Sequence, residues 1–201
     1  MDFQEYVIEN DYLKVTITSW GAQVKSVVRK LDGVEHIWQA DSSVWGYHAP
    51  ILFPHTGKVV NNTIHAKGKD YSSGQHGFAR ILEHDLVRQS ATRVDLELRS
   101  NPETLANFPY EFRLTSTFAL EGDKLHHTLT VQNRDTEVLP FGIGFHPAFA
   151  IPFDTDHTYS DYELRFDKME SPLCLSCQPN GLVRGKCYYL GTNIDTIPID
   201  N

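Results

Sequence analysis

Two short segments each set an imidazole among residues that could shape a binding surface: Gly74-Gln75-His76-Gly77-Phe78 and Gly144-Phe145-His146-Pro147. Glycine lets backbone approach a ligand closely, and the proline after His146 holds that residue in an extended conformation. The neighbouring rings, Phe145 among them, offer a flat apolar surface of the kind that suits the C–H face of a sugar. An imidazole in such a setting donates hydrogen bonds or delivers a proton near neutral pH. The plainer reading is that both segments are tight connections between strands.

The other histidines of the ten in the chain carry less. His126 and His127 are consecutive, so on a strand one points out and the other in. His36, His65 and His84 lie beside polar strand residues and read as surface or satisfied core positions. A metal reading would join His76 and His146 to His48 or His55, without a carboxylate at ligand spacing. Cys174-Leu-Ser-Cys177 has the spacing of half a zinc knuckle, and only Cys187 and His157 are left to complete it. Reduced structural thiols are expected instead, with no metal and no cofactor. Phe141-Gly142-Ile143-Gly144 is a lone Gly-x-Gly without the third glycine of a dinucleotide fingerprint. No nucleophile elbow and no phosphate-binding loop occurs.

The elements that must position these residues are strands. Val94, Leu96 and Leu98 alternate with Asp95, Glu97 and Arg99; Phe112, Leu114, Phe118 and Leu120 share one parity, against Arg113, Thr115 and Thr117. Leu125, His127, Leu129 and Val131 repeat the pattern, as do Tyr162, Leu164 and Phe166. A period of two means one buried and one wet face. Asp32-Gly33 predicts a hairpin joining residues 24–30 to 34–38, and Gly122-Asp123 another. The best helical stretch is the short piece Pro102–Phe108. Three segments interrupt the rhythm with Gly, Pro, His and aromatics: residues 45–58, 72–80 and 141–149. Function tends to sit where local pattern stops serving the sheet.

Composition sets the frame. The chain has 201 residues, 40% hydrophobic and 11% aromatic, enough for a real core. Eighteen Lys+Arg against 26 Asp+Glu give a formal charge of −8, which argues against binding nucleic acid. Its first residues lack the positive start and apolar stretch of an export signal. No apolar run reaches the roughly 20 residues needed to span a bilayer. A cytoplasmic protein without membrane partners is expected.

The three interrupting segments resemble those of the aldose 1-epimerase (galactose mutarotase-like) family, most closely its bacterial LacX-like branch. Ala49-Pro50-Ile51-Leu52-Phe53-Pro54 with Gly57-Lys58, His76-Gly77-Phe78-Ala79-Arg80, and Gly144-Phe145-His146-Pro147-Ala148-Phe149 follow the family's order and separations. The resemblance implies an all-β fold: a single domain over residues 1–201, an antiparallel β-sandwich of the galactose mutarotase-like supersandwich type. It implies a sugar as partner, a hexose with or without phosphate, and interconversion of its α and β anomers by acid/base ring opening. Carried over, His146 matches the general acid at the ring oxygen and His76 the second histidine that steadies developing charge. Lys58 stands where many members have a sugar-binding arginine, keeping the charge without the bidentate fork. Arg80 resembles an arginine that grips phosphate in the hexose-6-phosphate branch. Phe145 is read as substrate-binding.

The family's base is a glutamate in a C-terminal motif that no segment here resembles, so the sandwich is expected to be C-terminally incomplete. Losing a general base costs about 10²–10⁴-fold in rate. The alternatives are therefore a non-catalytic carbohydrate-binding domain and a hexose-6-phosphate 1-epimerase-like protein.

Overall fold

The structure, a computed structural model, describes residues 3–177 and 179–199. The chain divides into two compact units, one up to Ala150 and one from Ile151. Among the described residues the first contains eleven strands: β1 (Glu5–Glu9), β2 (Leu13–Thr18), β3 (Gln23–Arg29), β4 (Ile51–Leu52), β5 (Thr63–Ala66), β6 (Lys69–Ser72), β7 (Asp85–Ser90), β8 (Arg93–Arg99), β9 (Phe112–Glu121), β10 (Lys124–Asn133) and β11 (Gly144–Phe145). β1, β2 and β3 form an antiparallel sheet in that order, and β7 to β10 form a second in the order β10-β9-β8-β7. The all-β, antiparallel expectation therefore holds.

The alternating residues make the core. Ile8, Val15 and Ile17 of the first sheet share one buried cluster with Val94, Leu96, Leu114 and Phe118 of the second. Phe53, Phe78, Phe108 and Phe112 add a knot of rings, with Phe53 and Phe112 centred 5.0 Å apart. Aromatic pairs in such tilted contacts add to the burial of apolar area. The expected helical piece shortens to α1 (Pro102–Leu105), started by Asn101, whose side chain accepts from the Thr104 N–H.

Two sequence expectations are corrected. Asp95 and Glu97, assigned by parity to a wet face, are both buried. β8 is an interior strand between β7 and β9, and Glu97 is matched by Arg99, Arg113 and the Thr115 hydroxyl. A buried carboxylate survives when it is paired in this way. The Asp32-Gly33 hairpin forms, with an antiparallel bridge from Val28 to Glu35, the Arg29 N–H donating to the Val34 carbonyl at 3.0 Å and the His36 N–H to the Val27 carbonyl at 2.9 Å, but the pairing does not extend over residues 37–38. The Glu35 carboxylate takes the N–H groups of Val27 and Ile37, each at 2.8 Å, where backbone carbonyls would have served. The segment then crosses to the third motif, bridging Ile37 to Phe149.

The second unit holds β12 (Glu163–Glu170) paired with β15 (Ile194–Pro198), and β13 (Leu173–Leu175) paired with β14 (Cys187–Tyr189), all antiparallel. Cys174, Cys177 and Cys187 are free thiols. No helix among the described residues is long and apolar enough to cross a membrane.

Candidate functional site

His76 sits on a turn that sequence alone would make expensive. Its φ of +67° lies in the left-handed region, where a residue with a Cβ persists only if its surroundings hold it there. Two hydrogen bonds to one residue do so: the His76 N–H donates to the Gly57 carbonyl at 2.8 Å, and the Gly57 N–H donates to His76 Nδ1 at 2.9 Å. The next residue must be glycine. Gly77 has φ +68°, and a Cβ there would lie 2.3 Å from the Phe53 carbonyl oxygen. That same oxygen accepts from the N–H groups of Phe78 and Ala79, which pins the turn to the end of β4.

This geometry fixes the tautomer. An Nδ1 that accepts from a peptide N–H carries no proton, so the neutral ring is protonated at Nε2. The Gln75 carboxamide nitrogen lies 3.2 Å from Nε2, and two nitrogens that both carry hydrogens make no bond; only a turned-over carboxamide accepts from this ring. Burial lowers the His76 pKa below the ordinary imidazole value, and the Arg80 cation, then any positive charge on the neighbouring His146 and His55 rings, lowers it further. His76 is thus a neutral donor at pH 7.

His146 is an exposed ring whose backbone N–H donates to the Pro50 carbonyl at 3.1 Å. Its imidazole lies 5.0 Å from the Trp45 ring, at 40°. Trp45 in turn contacts Tyr47 at 5.8 Å, and the Arg80 guanidinium sits 4.9 Å over the Tyr47 ring. Arg80 donates from one terminal nitrogen to the Gln75 carbonyl at 3.1 Å, while its Nε is buried without a partner among the described residues. Gly21 allows this approach, since a Cβ on it would lie 2.5 Å from the Arg80 carbonyl oxygen. Arg80 and His146 therefore both bear on His76 electrostatically, while Trp45 and Tyr47 join His146 to Arg80 by ring contacts.

Two more sequence-derived residues are Lys58, which follows Gly57 in the chain, and Phe145. Lys58 is exposed and makes no ion pair among the described residues. Phe145 turns away from His146, as neighbours on a strand must. Its ring meets His127 edge-on at 5.1 Å and lines a separate apolar cavity of about 990 Å³ with Leu125 and Phe149. Trp45 and Tyr47, which contact His146 and Arg80, were not singled out from the sequence, and His55 was named there only in the metal reading. Their signal was the run of His and aromatics in residues 45–58. His55 Nε2 lies 2.7 Å from the Ser73 hydroxyl, and burial lowers its pKa.

No three His, Cys, Asp or Glu side chains gather at metal-holding geometry among the described residues. The carboxylates next along the chain from His146 are engaged in turns of the second unit. Asp154 accepts from His157 Nδ1 at 2.7 Å, and Asp161 accepts from the Thr158 N–H at 2.8 Å.

Comparison with known proteins places this architecture. The family model described as aldose 1-epimerase matches residues 4–184. The chain belongs to that family. Within it, the chain falls in the LacX-like branch: it is 36% identical over 170 residues to the chromosomal protein LacX of Lactococcus lactis, covering 82% of this chain and 56% of the relative. A galactose mutarotase related enzyme from Lactobacillus acidophilus superposes with TM-score 0.91 at 30% identity, over 98% of this chain and 65% of that one. A galactose mutarotase-like protein from Lactobacillus casei gives 0.88 at 34%, over 98% and 67%. The chain thus spans a little over half the length of LacX and about two thirds of the solved relatives.

Proposed function

We propose that this chain binds a hexose against His76 and His146 and promotes exchange between its α and β anomers. The observation that carries the reading is the Gly57–His76 lock, which leaves a neutral, oriented Nε2–H donor in the same electrostatic neighbourhood as His146. Opening a pyranose requires protonating the ring oxygen as the C1–O5 bond breaks, and removing the proton of the C1 hydroxyl, which solvent water takes up here because His76 Nδ1 is already bonded to the Gly57 N–H. His146, exposed and free to turn toward a ligand, supplies the ring-oxygen proton. His76 holds an adjacent oxygen and steadies charge, as preorganised donors do. The Trp45 ring offers the flat wall on which the sugar's C–H face lies.

No carboxylate among the described residues is bonded to either imidazole; the carboxylate-paired histidines are His65, His126 and His157. That favours a second reading, in which the chain binds sugar without accelerating exchange. Polarimetry of freshly dissolved α-glucose and α-galactose, against a no-protein blank, tests the first. An accelerated rate lost in His146→Ala supports catalysis. A rate equal to the blank with saturable binding supports the second reading, and no binding at millimolar sugar rejects both.

The Arg80 guanidinium, with only one terminal nitrogen engaged on the Gln75 carbonyl, favours a phosphorylated hexose over a free one. Tighter binding of glucose-6-phosphate than of glucose, lost in Arg80→Met, would bear this out; equal affinities would overturn it.

A further inference from the structure

β10 is an outer strand of its sheet, and hydrogen-bond parity shows what its free edge presents. The Leu120 N–H donates to the Thr92 carbonyl at 2.9 Å, on the β8 side, and the Arg134 N–H donates to the Glu111 carbonyl at 3.0 Å, on the β10 side. Even-numbered residues of β9 therefore serve β8 and odd-numbered ones serve β10. Ala119 faces His126 and Thr117 faces Thr128, so the even-numbered residues of β10 turn toward β9. The N–H and C=O groups of Leu125, His127, Leu129 and Val131 point outward, with no backbone partner among the described residues.

The side chains agree. On the inner parity of β9, Phe112, Leu114 and Phe118 are buried, whereas Leu125, Leu129 and Val131 of β10 are only half-buried. Leu125 and His127 also line the apolar cavity of about 990 Å³. Exposed edges are normally blunted by brevity, charge or a bulge. β1 is five residues long with Glu5 and Glu9, and β7 carries Asp85, Arg88 and a register shift between Leu86 and Arg88. β10 has none of these. It runs ten residues in unbroken register with β9, without proline or carboxylate, and its one formal charge is Lys124 at the start. On a chain of net charge −8, this edge is one that a second copy approaches without carboxylate repulsion.

We propose that β10 pairs antiparallel with β10 of a second copy, joining two sheets into one across a two-fold axis. Charge selects the register. With Thr128 on the axis, His127 lies opposite Leu129 of the copy, Leu125 opposite Val131, and Lys124 opposite the neutral Gln132. The outward backbone groups then exchange hydrogen bonds, and apolar side chains meet apolar ones on the inner face. Moving the axis to Leu129 sets Lys124 against Arg134 and Asp123 against Asp135, two like-charged pairs. Moving it to His127 shortens the ladder.

Sedimentation velocity of the wild type over a range of micromolar concentrations is expected to show a monomer–dimer equilibrium without larger species. Thr128→Lys sets two cations face to face on the axis, at an exposed position, and should weaken the dimer roughly five-fold. Thr128→Cys, in a chain whose Cys174, Cys177 and Cys187 are changed to serine, tests the register. Opposed residues of a non-hydrogen-bonded pair have Cα atoms about 4.5 Å apart, within disulfide reach. Oxidised glutathione should link the two subunits at that position, and should not do so for Ser90→Cys on the edge of β7. The cross-link serves if Thr128→Lys does not fold. A wild type that stays monomeric or forms larger oligomers overturns the proposal. So does a dimer that folded Thr128→Lys leaves unweakened, or one that Thr128→Cys links no better than Ser90→Cys.

Discussion

The N–H of Gly57 donates to Nδ1 of His76 at 2.9 Å while the His76 N–H returns a bond of 2.8 Å to the Gly57 carbonyl. Residues 19 apart in sequence are thereby closed into a reciprocal pair that sets both the backbone and the tautomer of the imidazole. The His76 ring is expected to be protonated at Nε2, which nitrogen-15 correlation spectra at neutral pH report directly. An Nδ1–H form would show that the ring is not held as described. His76→Ala is expected to cost about 10²–10³-fold in any catalysed rate, the range for loss of one preorganised donor.

Arg80 bears on the same ring from a distance. Its cation is the second largest influence, after burial, lowering the His76 pKa. Arg80→Met should therefore raise that pKa, so that His76 titrates nearer its ordinary value. A proton NMR titration of the ring resonances checks the sign. An unchanged or lower pKa would mean the two groups are not neighbours in solution.

The turn that carries His76 makes its own prediction. Gly77→Ala forces a Cβ to within 2.3 Å of the Phe53 carbonyl oxygen at a φ of +68°, so both clash and conformational strain act. Gly33→Ala shares the strain, with φ +75°, but has nothing within 4 Å. Urea unfolding should give a loss of roughly 1 kcal/mol for Gly33→Ala and distinctly more for Gly77→Ala, above about 2 kcal/mol. Similar losses for both would refute the close approach to β4.

These contrasts show where sequence reading reached and where it stopped. Strand parity was legible because a period of two needs only local residues: β9 and β10 start and end where Phe112, Leu114, Leu125 and Leu129 imply. Burial of Glu97 was not, because it depends on β8 being flanked on both sides, which is a property of sheet order. The end of the hairpin pairing before residues 37–38 turned on one carboxylate, Glu35, competing for backbone N–H groups. At the candidate site, His76, His146 and Arg80 stood out through their glycine, proline and aromatic frames. Phe145 shared that frame, yet the pairing of β11 with β4 sends it to the opposite face, beside His127. Trp45 was invisible as a partner of His146 because the contact is made by folding alone.

The buried histidines that do no chemistry should set the acid limit of the fold. His84 is almost wholly enclosed, its Nε2 held 3.0 Å from the Ala79 carbonyl, and His127 is stacked 4.2 Å from Phe118. Burial lowers both pKa values from 6.5 to about 4. Between those limits the unfolded chain binds protons that the folded chain refuses, so stability falls as pH drops from 6.5 towards 4 and is fully present above that window. The gap corresponds to roughly 3 kcal/mol for each residue. Urea midpoints measured from pH 7.5 to 4.5 should therefore decline, and His127→Leu should remove about half of the decline while keeping an apolar contact with Phe118. The leucine is neutral at every pH, so its curve must be flatter than the wild type's. Parallel curves for the two proteins would show that His127 is open to water and protonates as freely in the fold as in the unfolded chain.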